Sequence, residues 1–418
     1  MKIKFGLTTK ILLGLFLGSI FGLFVLKYIP STFVKETIFV NGILKILGDG
    51  FLAAIKMLVV PLVLVSLACG ASSMSDIKKL GRIGGKTFVF YIATTALAIT
   101  IALIVALLLN PGTGLDLSSV VTSTPTIGET QGFTDIILDM IPTNIFESMT
   151  SANMLQIIVF ALLFGIAINL VGEKGQPIRK ILVSLNDILM KMIEMIMHAA
   201  PYGVFALMAT TFYNTGFEAF MPLLKYVLII LFALFIHATL VYGLLMKVFT
   251  KLPIKPFLNK FKKVAAVTFS TSSSSASLPI AMESMEELGV SNSISSFTLP
   301  LGSTINMDGT SIMQGVAAIF IAQVYGCDLG ISQILTIILT ATLSSIGTAG
   351  APGVGMIMLS MVLESVGLPL AGVGLIMGVD RIIDMFRTTV NVMGDCICTM
   401  IISKSEKEFN EDQYLNCK

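Results

Sequence analysis

Six apolar runs, each close to or beyond the roughly 20 residues that cross a bilayer as a helix, constrain this chain more than any other feature. They lie at about 9–28, 42–70, 87–109, 136–171, 183–211 and 222–247, the fourth long enough to be broken or tilted. Of the 418 residues, 55% are hydrophobic and 12% charged, and the mean hydropathy is +0.91. A soluble chain is nearer a quarter charged. These values exclude a disordered protein, a nucleic-acid binder and an ordinary cytosolic enzyme. A net charge of +2 gives no general attraction for polyanions. The chain reads as an all-α polytopic membrane protein. Its start, MKIKFGLTTK followed by an apolar run, mimics a signal peptide without a clean cleavage site, and it reads as a retained first membrane helix.

Basic residues set the expected orientation. Lys2, Lys4 and Lys10 precede the first run, and Lys78, Lys79, Arg82 and Lys86 follow the second. Lys174, Arg179 and Lys180 follow the fourth, and Lys247 to Lys263 carry six lysines after the sixth. The loops at about 110–135 and near Asn214 to Glu218 have no Lys or Arg. This alternation predicts a cytoplasmic N-terminus, and Lys404 and Lys407 predict a cytoplasmic C-terminus.

From 264 to 400 the sequence stays apolar but is cut by STSSSSASLP (Ser270 to Pro279), NMDGT (Asn306 to Thr310), SSIGTAGAPGVG (Ser344 to Gly355) and DRIIDMFRTTVNVMGD (Asp380 to Asp395). Irregular backbone at membrane depth survives only when buried in protein or lining a wet cavity. Two of the breaks are small-residue tips between short apolar arms, which suggests re-entrant hairpins, each followed by a helix with polar residues. Hairpin plus helix, twice, is the inverted-repeat signature of a secondary transporter, although no residue-by-residue repeat is visible.

The last helix carries the most chemistry. Asp384, Arg387, Thr388, Asn391 and Asp395 are spaced to share one helical face. Ionisable groups inside a membrane segment are costly and mark substrate or ion paths. A self-neutralising Arg–Asp pair is the plainer reading, but it leaves Asn391 and Asp395 unexplained. NMDGT sets an amide and a carboxylate beside a mid-helix glycine, a donor set that suits a hard cation such as Na⁺, or simply a glycine kink. Tyr91, Thr94 and Thr95 bring three oxygens to the third span, a weak signal alone, because Thr often bonds its own helix. The Ser-rich and Gly-rich tips offer backbone N–H groups to a carboxylate. His198 and His237 each read as a helix residue with a local partner rather than a metal ligand. The five cysteines form neither a disulfide framework nor a zinc spacing.

Counting charge suggests a mechanism. Asp308, Asp384 and Asp395 against Arg381 and Arg387 sum to −1, and an acidic amino acid adds another −1. Burying −2 is very unfavourable, so two or three monovalent cations should bind with positive coupling to the substrate, as a symporter requires. Arg387 is expected to grip a carboxylate as a fork, and Asp384 to take the substrate ammonium. Asn391 and the hairpin N–H groups would take the other carboxylate, while Asp308 and Asp395 hold cations. An intramembrane aspartyl protease is excluded, since Asp384 and Asp395 lie about 16 Å apart along one helix. One Asp/Arg/Asn face per chain also suits a binding site better than a channel ring.

At these residues the sequence resembles the dicarboxylate/amino acid:cation symporter family, which includes archaeal aspartate and mammalian glutamate transporters. The Ser-rich tip, NMDGT, GTAGAPG and D-x-x-R-T-x-x-N-x-x-G-D carry the resemblance together, over nearly the whole chain. It implies eight transmembrane helices plus two re-entrant hairpins in a homotrimer, working as an elevator-type transporter in the cell membrane. Residues 1–74 (helices 1–2) and 111–212 (helices 4–5) would be scaffold. Residues 75–110 (helix 3) and 213–418 (helix 6 to helix 8, with both hairpins) would be the transport domain. The implied substrate contacts are Ser273, Ser274, Thr310, Ala351, Gly355, Asp384, Arg387, Thr388 and Asn391. One implied Na⁺ site uses Gly302, Asn306, Asn391 and Asp395, and a second uses Thr304, Ser345, Ile346 and Thr348. The third uses Tyr91, Thr94, Thr95, Asn306 and Asp308. Relatives often carry an arginine where Ser272 or Met385 stands here, and Arg381 is one turn from Met385. The expected activity is Na⁺-coupled import of L-aspartate or L-glutamate. A proton-coupled relative, or one carrying other amino acids or dicarboxylates, is the alternative.

Overall fold

A computed structural model describes residues 7–26, 28–72, 80–115, 138, 141–151, 153–346 and 353–416. The described residues are helical apart from connecting turns and one isolated bridge, Val290 with Phe409. Among the described residues, five helical stretches are long and apolar enough to cross a membrane: Thr9–Leu26, Phe33–Cys69, Arg82–Leu109, Gln156–Asn214 and Phe220–Thr250. The fourth merges two of the expected spans. A 3₁₀ turn at Gly172–Gly175 links their helices without a loop.

Helices α1 (Leu7–Ile20), α2 (Lys45–Ser72), α5 (Met154–Val171) and α6 (Gln176–Thr215) pack on one another. Gly14 and Gly18 of α1, with Gly22 in the π segment Phe21–Leu26 that follows it, form the seam with α6. A methyl group on any of them would sit 2.2 to 2.4 Å from the carbonyl oxygens of Pro201, Phe205 and Ala209. Small residues are what permit backbones to approach this closely. Within the fourth apolar run, α4 (Ile145–Thr150) and α5 are separate helices. Asn144 and Asn153 cap the two helices by accepting from the Phe146 and Gln156 amides.

The rest is assembled around α15 (Ala371–Ser405) and α12 (Asp308–Val324). These touch α3 (Leu80–Leu109), α7 (Phe220–Ile236), α8 (Tyr242–Thr250) and α11 (Asn292–Ile305). Nearly every residue of α12 is buried, polar ones included, so its polar groups must be satisfied by protein or ligand rather than water. α9 (Ile254–Thr271) and α10 (Ser274–Glu287) form one helix pair. Ser272 stops α9 in the left-handed region (φ +50°), and the Ser273 hydroxyl then caps α10 by accepting from the Ala276 amide at 3.2 Å. α13 (Ile331–Ser344) and α14 (Val354–Ser365) form the other pair.

Beyond α15 the chain binds the lower ends of these helices together. Glu406 pairs with Arg82 and Lys86. The Asn410 amide donates to the Gly289 carbonyl at 2.8 Å. In α16 (Glu411–Asn416), buried Tyr414 donates its hydroxyl to the Pro253 carbonyl at 2.7 Å. Two cations bond Glu406 and hold its carboxyl below the usual glutamate range, Lys86 first and then Arg82.

Candidate substrate and cation site

α15 supplies a continuous polar face inside the protein. Arg387 is buried, with Nε on Asp384 at 2.9 Å and Nη1 on Asp380 at 3.0 Å. Arg381 Nη1 reaches the other Asp384 oxygen at 3.2 Å, and the Thr388 hydroxyl donates to Asp384 at 3.3 Å. Gly355, one residue into α14, lies flat against the guanidinium: a Cβ there would be 2.5 to 2.6 Å from Nη2, Cζ and Nη1. Asp380, Arg381 and Asp384 also form the polar end of a cavity of about 30 Å³ lined by α1, α2, α6 and α14.

One turn further, Asn391 ties α15 to the broken helix. Its Oδ1 accepts from the Gly309 amide at 2.7 Å, and its Nδ2 reaches Thr310 Oγ1 at 3.3 Å. A side chain on Gly309 would strike the Arg387 carbonyl at 2.4 Å, so glycine is what lets α12 start this close to α15. Between α11 and α12 the chain leaves helical geometry at Asn306 (φ −83°, ψ 108°) and Met307. This is the broken helix that NMDGT predicts.

The break places three oxygen-rich groups together. Asn306 Nδ2 donates to Asp395 Oδ1 and to the Asn391 carbonyl, both at 2.8 Å. Its Oδ1 is buried with no hydrogen-bond partner among the described residues. Gly302 sits under Asp395 and Tyr91, and a Cβ there would be 2.4 Å from Asp395 Oδ1 and 2.5 Å from the Tyr91 hydroxyl. Tyr91 bonds the Thr298 carbonyl at 3.2 Å. Thr95 donates to Asp308 Oδ1 at 2.5 Å, while Thr94 turns to its own helix at the Tyr91 carbonyl. A buried amide oxygen without a donor, beside carboxylates and hydroxyls, is a donor set that fits a hard cation.

Other expected site residues stand apart from this cluster. Thr304 bonds its own helix at Leu301, and Ser345 bonds Thr342. No hydrogen bond joins Thr304, Ser345 or Ile346 to the Asp308–Asp395 group among the described residues. Ser274 is buried at the start of α10, beside the cap Ser273. Thr348 and Ala351 lie outside the described residues.

Three residues were not foreseen as part of the site. Asp380 is one turn before Asp384 and shares Arg387; its spacing alone could have revealed it. It changes the buried charge: Asp308, Asp380, Asp384 and Asp395 against Arg381 and Arg387 give −2, not −1. His237 was expected to have a local partner. Instead its Nε2 lies 3.1 Å from Asp308 Oδ2, across the protein. Tyr242 donates to the same oxygen at 2.7 Å. His198 does find its partner locally, at the Glu194 carbonyl.

Residues 7–405 match the sequence model of the Sodium:dicarboxylate symporter family. The chain belongs to this family. Its similarities to individual members run the length of both chains. It is 37% identical over 418 residues to a proton/sodium-glutamate symport protein of Geobacillus stearothermophilus, covering 98% of this chain and 97% of that one. It is 38% identical over 424 residues to a proton/glutamate-aspartate symporter of Escherichia coli, covering 99% and 96%. It is 34% identical over 417 residues to a C4-dicarboxylate transport protein of Bacillus subtilis, covering 98% and 96%. The family is one of transporters, and the apolar helices make this member a membrane protein.

Proposed function

We propose that this family member is a secondary active symporter that imports L-aspartate or L-glutamate together with Na⁺. The observation that carries the reading is the buried Asp380–Arg387–Asp384 triad, one turn from the Asn391–Asn306–Asp395 group. Both Arg387 contacts in the triad are to the protein's own carboxylates. An incoming carboxylate displaces Asp384 from Arg387, and the freed Asp384 then pairs with the substrate ammonium. The exchange keeps each buried charge partnered throughout, which a buried ion pair requires. A plain C4-dicarboxylate lacks the ammonium and would leave Asp384 with Arg381 as its one cationic partner among the described residues, so an acidic amino acid fits better.

The formal −2 of these groups becomes −3 with an acidic amino acid, and three monovalent cations would neutralise it. Asp395, Asn306, Asn391 and Gly302 would hold one. Asp308, Thr95, Thr94, Tyr91 and the unpartnered Asn306 oxygen would hold another. Thr304, Ser345, Ile346 and Thr348 would hold the third, with Ala351 and the tip serines Ser273 and Ser274 near the substrate. Proton coupling is the second reading, favoured by the names of the relatives in Geobacillus stearothermophilus and Escherichia coli.

The wider architecture follows the resemblance: eight spanning helices, two re-entrant hairpins at α9–α10 and α13–α14, a homotrimer in the cell membrane, and cytoplasmic termini. Two groups of helices that pack mainly among themselves, α1/α2/α5/α6 and the set around α12 and α15, support a division into scaffold and moving transport domain. The test is uptake of radiolabelled L-aspartate by proteoliposomes under an imposed Na⁺ gradient or an imposed pH gradient. Competition with glutamate, succinate and neutral amino acids completes it. Uptake driven by Na⁺ at uniform pH supports the reading; uptake driven only by a pH gradient replaces Na⁺ with H⁺; succinate outcompeting aspartate removes the amino-acid assignment.

A further inference from the structure

Between α7 and α8 the residues His237 to Val241 form a single π turn, in which the Tyr242 amide donates to the His237 carbonyl five residues back. In a regular α-helix, residues five apart point about 140° away from each other around the axis. They could not both touch one side chain. The π turn, with more residues per turn, narrows that offset. The His237 and Tyr242 rings meet edge to face at 4.6 Å between centroids, and both reach Asp308 Oδ2, at 3.1 and 2.7 Å. The opposite oxygen, Oδ1, carries the Thr95 hydroxyl. All four side chains are buried. Among the described residues His237 Nδ1 has no partner, and the ring's hydrogen-bond contact is to Asp308. π turns are rare and concentrate at functional sites, and this one has a specific geometric effect.

We propose that His237 and Tyr242 are positioning residues for the Asp308 cation site. By occupying Oδ2 they fix the carboxylate plane, and Oδ1 together with Thr95 is what faces the cation. The inference rests on the cation-coupled reading above. It asks of His237 only an N–H donor at the Nε2 position, which a glutamine amide also supplies. It asks of Tyr242 only the hydroxyl, because the ring alone would pack equally well as phenylalanine.

The test uses purified full-length protein at one pH. The melting temperature is followed against NaCl, with choline chloride holding ionic strength constant, for wild type, Tyr242→Phe, His237→Leu and His237→Gln. L-aspartate affinity at saturating Na⁺ is measured alongside. A donor to a charged group contributes enough that its loss raises the half-maximal Na⁺ concentration about tenfold. That rise is expected in Tyr242→Phe and His237→Leu, with His237→Gln within about threefold of wild type and aspartate affinity at saturating Na⁺ unchanged in all. The positioning role is overturned if Tyr242→Phe and His237→Leu respond to Na⁺ as wild type does, or if His237→Gln is as impaired as His237→Leu. If His237→Leu does not fold, Tyr242→Phe, which keeps the ring, decides alone. A wild-type protein that Na⁺ does not stabilise overturns the sodium reading, and this inference with it. A normal wild-type response beside unaffected variants overturns the inference only.

Discussion

Replacing Gly355 by alanine tests whether Arg387 is held where a substrate carboxylate must meet it. The new methyl would lie 2.5 to 2.6 Å from three atoms of the guanidinium, roughly 1 Å inside ordinary contact distance. The plane cannot simply tilt away, because Nε is on Asp384 at 2.9 Å and Nη1 on Asp380 at 3.0 Å. A retreat of about 1 Å takes at least one of these contacts beyond hydrogen-bonding range and moves the positive charge away from α14. Losing the charge-assisted hydrogen bond that Arg387 would give a substrate carboxylate costs about 1.5 to 3 kcal/mol, a factor of about 10 to 150 in affinity. Calorimetric titration of L-aspartate at saturating Na⁺ should show that loss in Gly355→Ala. Gly85→Ala, where nothing lies within 4 Å of the added carbon, should bind as wild type does. A Gly355→Ala protein within twofold of wild type would refute the placement of Arg387 as the carboxylate partner.

Three further outcomes are expected. Arg387→Cys should abolish acidic amino-acid uptake and admit a small neutral amino acid, since it removes the cation that pairs Asp380 and Asp384; retained aspartate uptake in proteoliposomes contradicts this. Gly302→Ala should raise the half-saturating Na⁺ concentration about tenfold, because its methyl intrudes between Asp395 and Tyr91; Na⁺-dependent melting curves report it. Glu406→Gln should reveal a pH-dependent contribution to stability. The Glu406 carboxyl is held below its ordinary value, first by Lys86 and then by Arg82. The stabilisation is therefore complete above the unfolded value of about 4.3 and lost as the pH falls through the lowered folded value. The melting-temperature gap between wild type and Glu406→Gln should be constant near neutrality and close in acid; a gap that widens in acid would contradict the pairing.

Much of the site was legible because its signals are local. A buried helical face with Asp384, Arg387, Asn391 and Asp395 is visible from spacing, and NMDGT marks a break because a glycine next to an amide and a carboxylate cannot continue an apolar helix unaided. Asp380 is equally visible by spacing, one turn before Asp384. Thr95 could be placed on Asp308 only through the family resemblance. The role of Gly355 was legible only as part of a tip, since the clash that requires glycine there comes from an arginine 32 positions away.

By itself the amino-acid order determined the membrane class, the position of the broken helix and which carboxylates face inward, because hydrophobic length and helical periodicity act over a few turns. Tertiary structure alone decided that His237 and Tyr242 converge on Asp308. Their spacing of five places them on different faces of any regular helix, and only a π turn brings them together on Asp308 at the start of α12. It also decided how many carboxylates Arg387 must balance, since burial leaves a charge no partner except what the fold brings within reach.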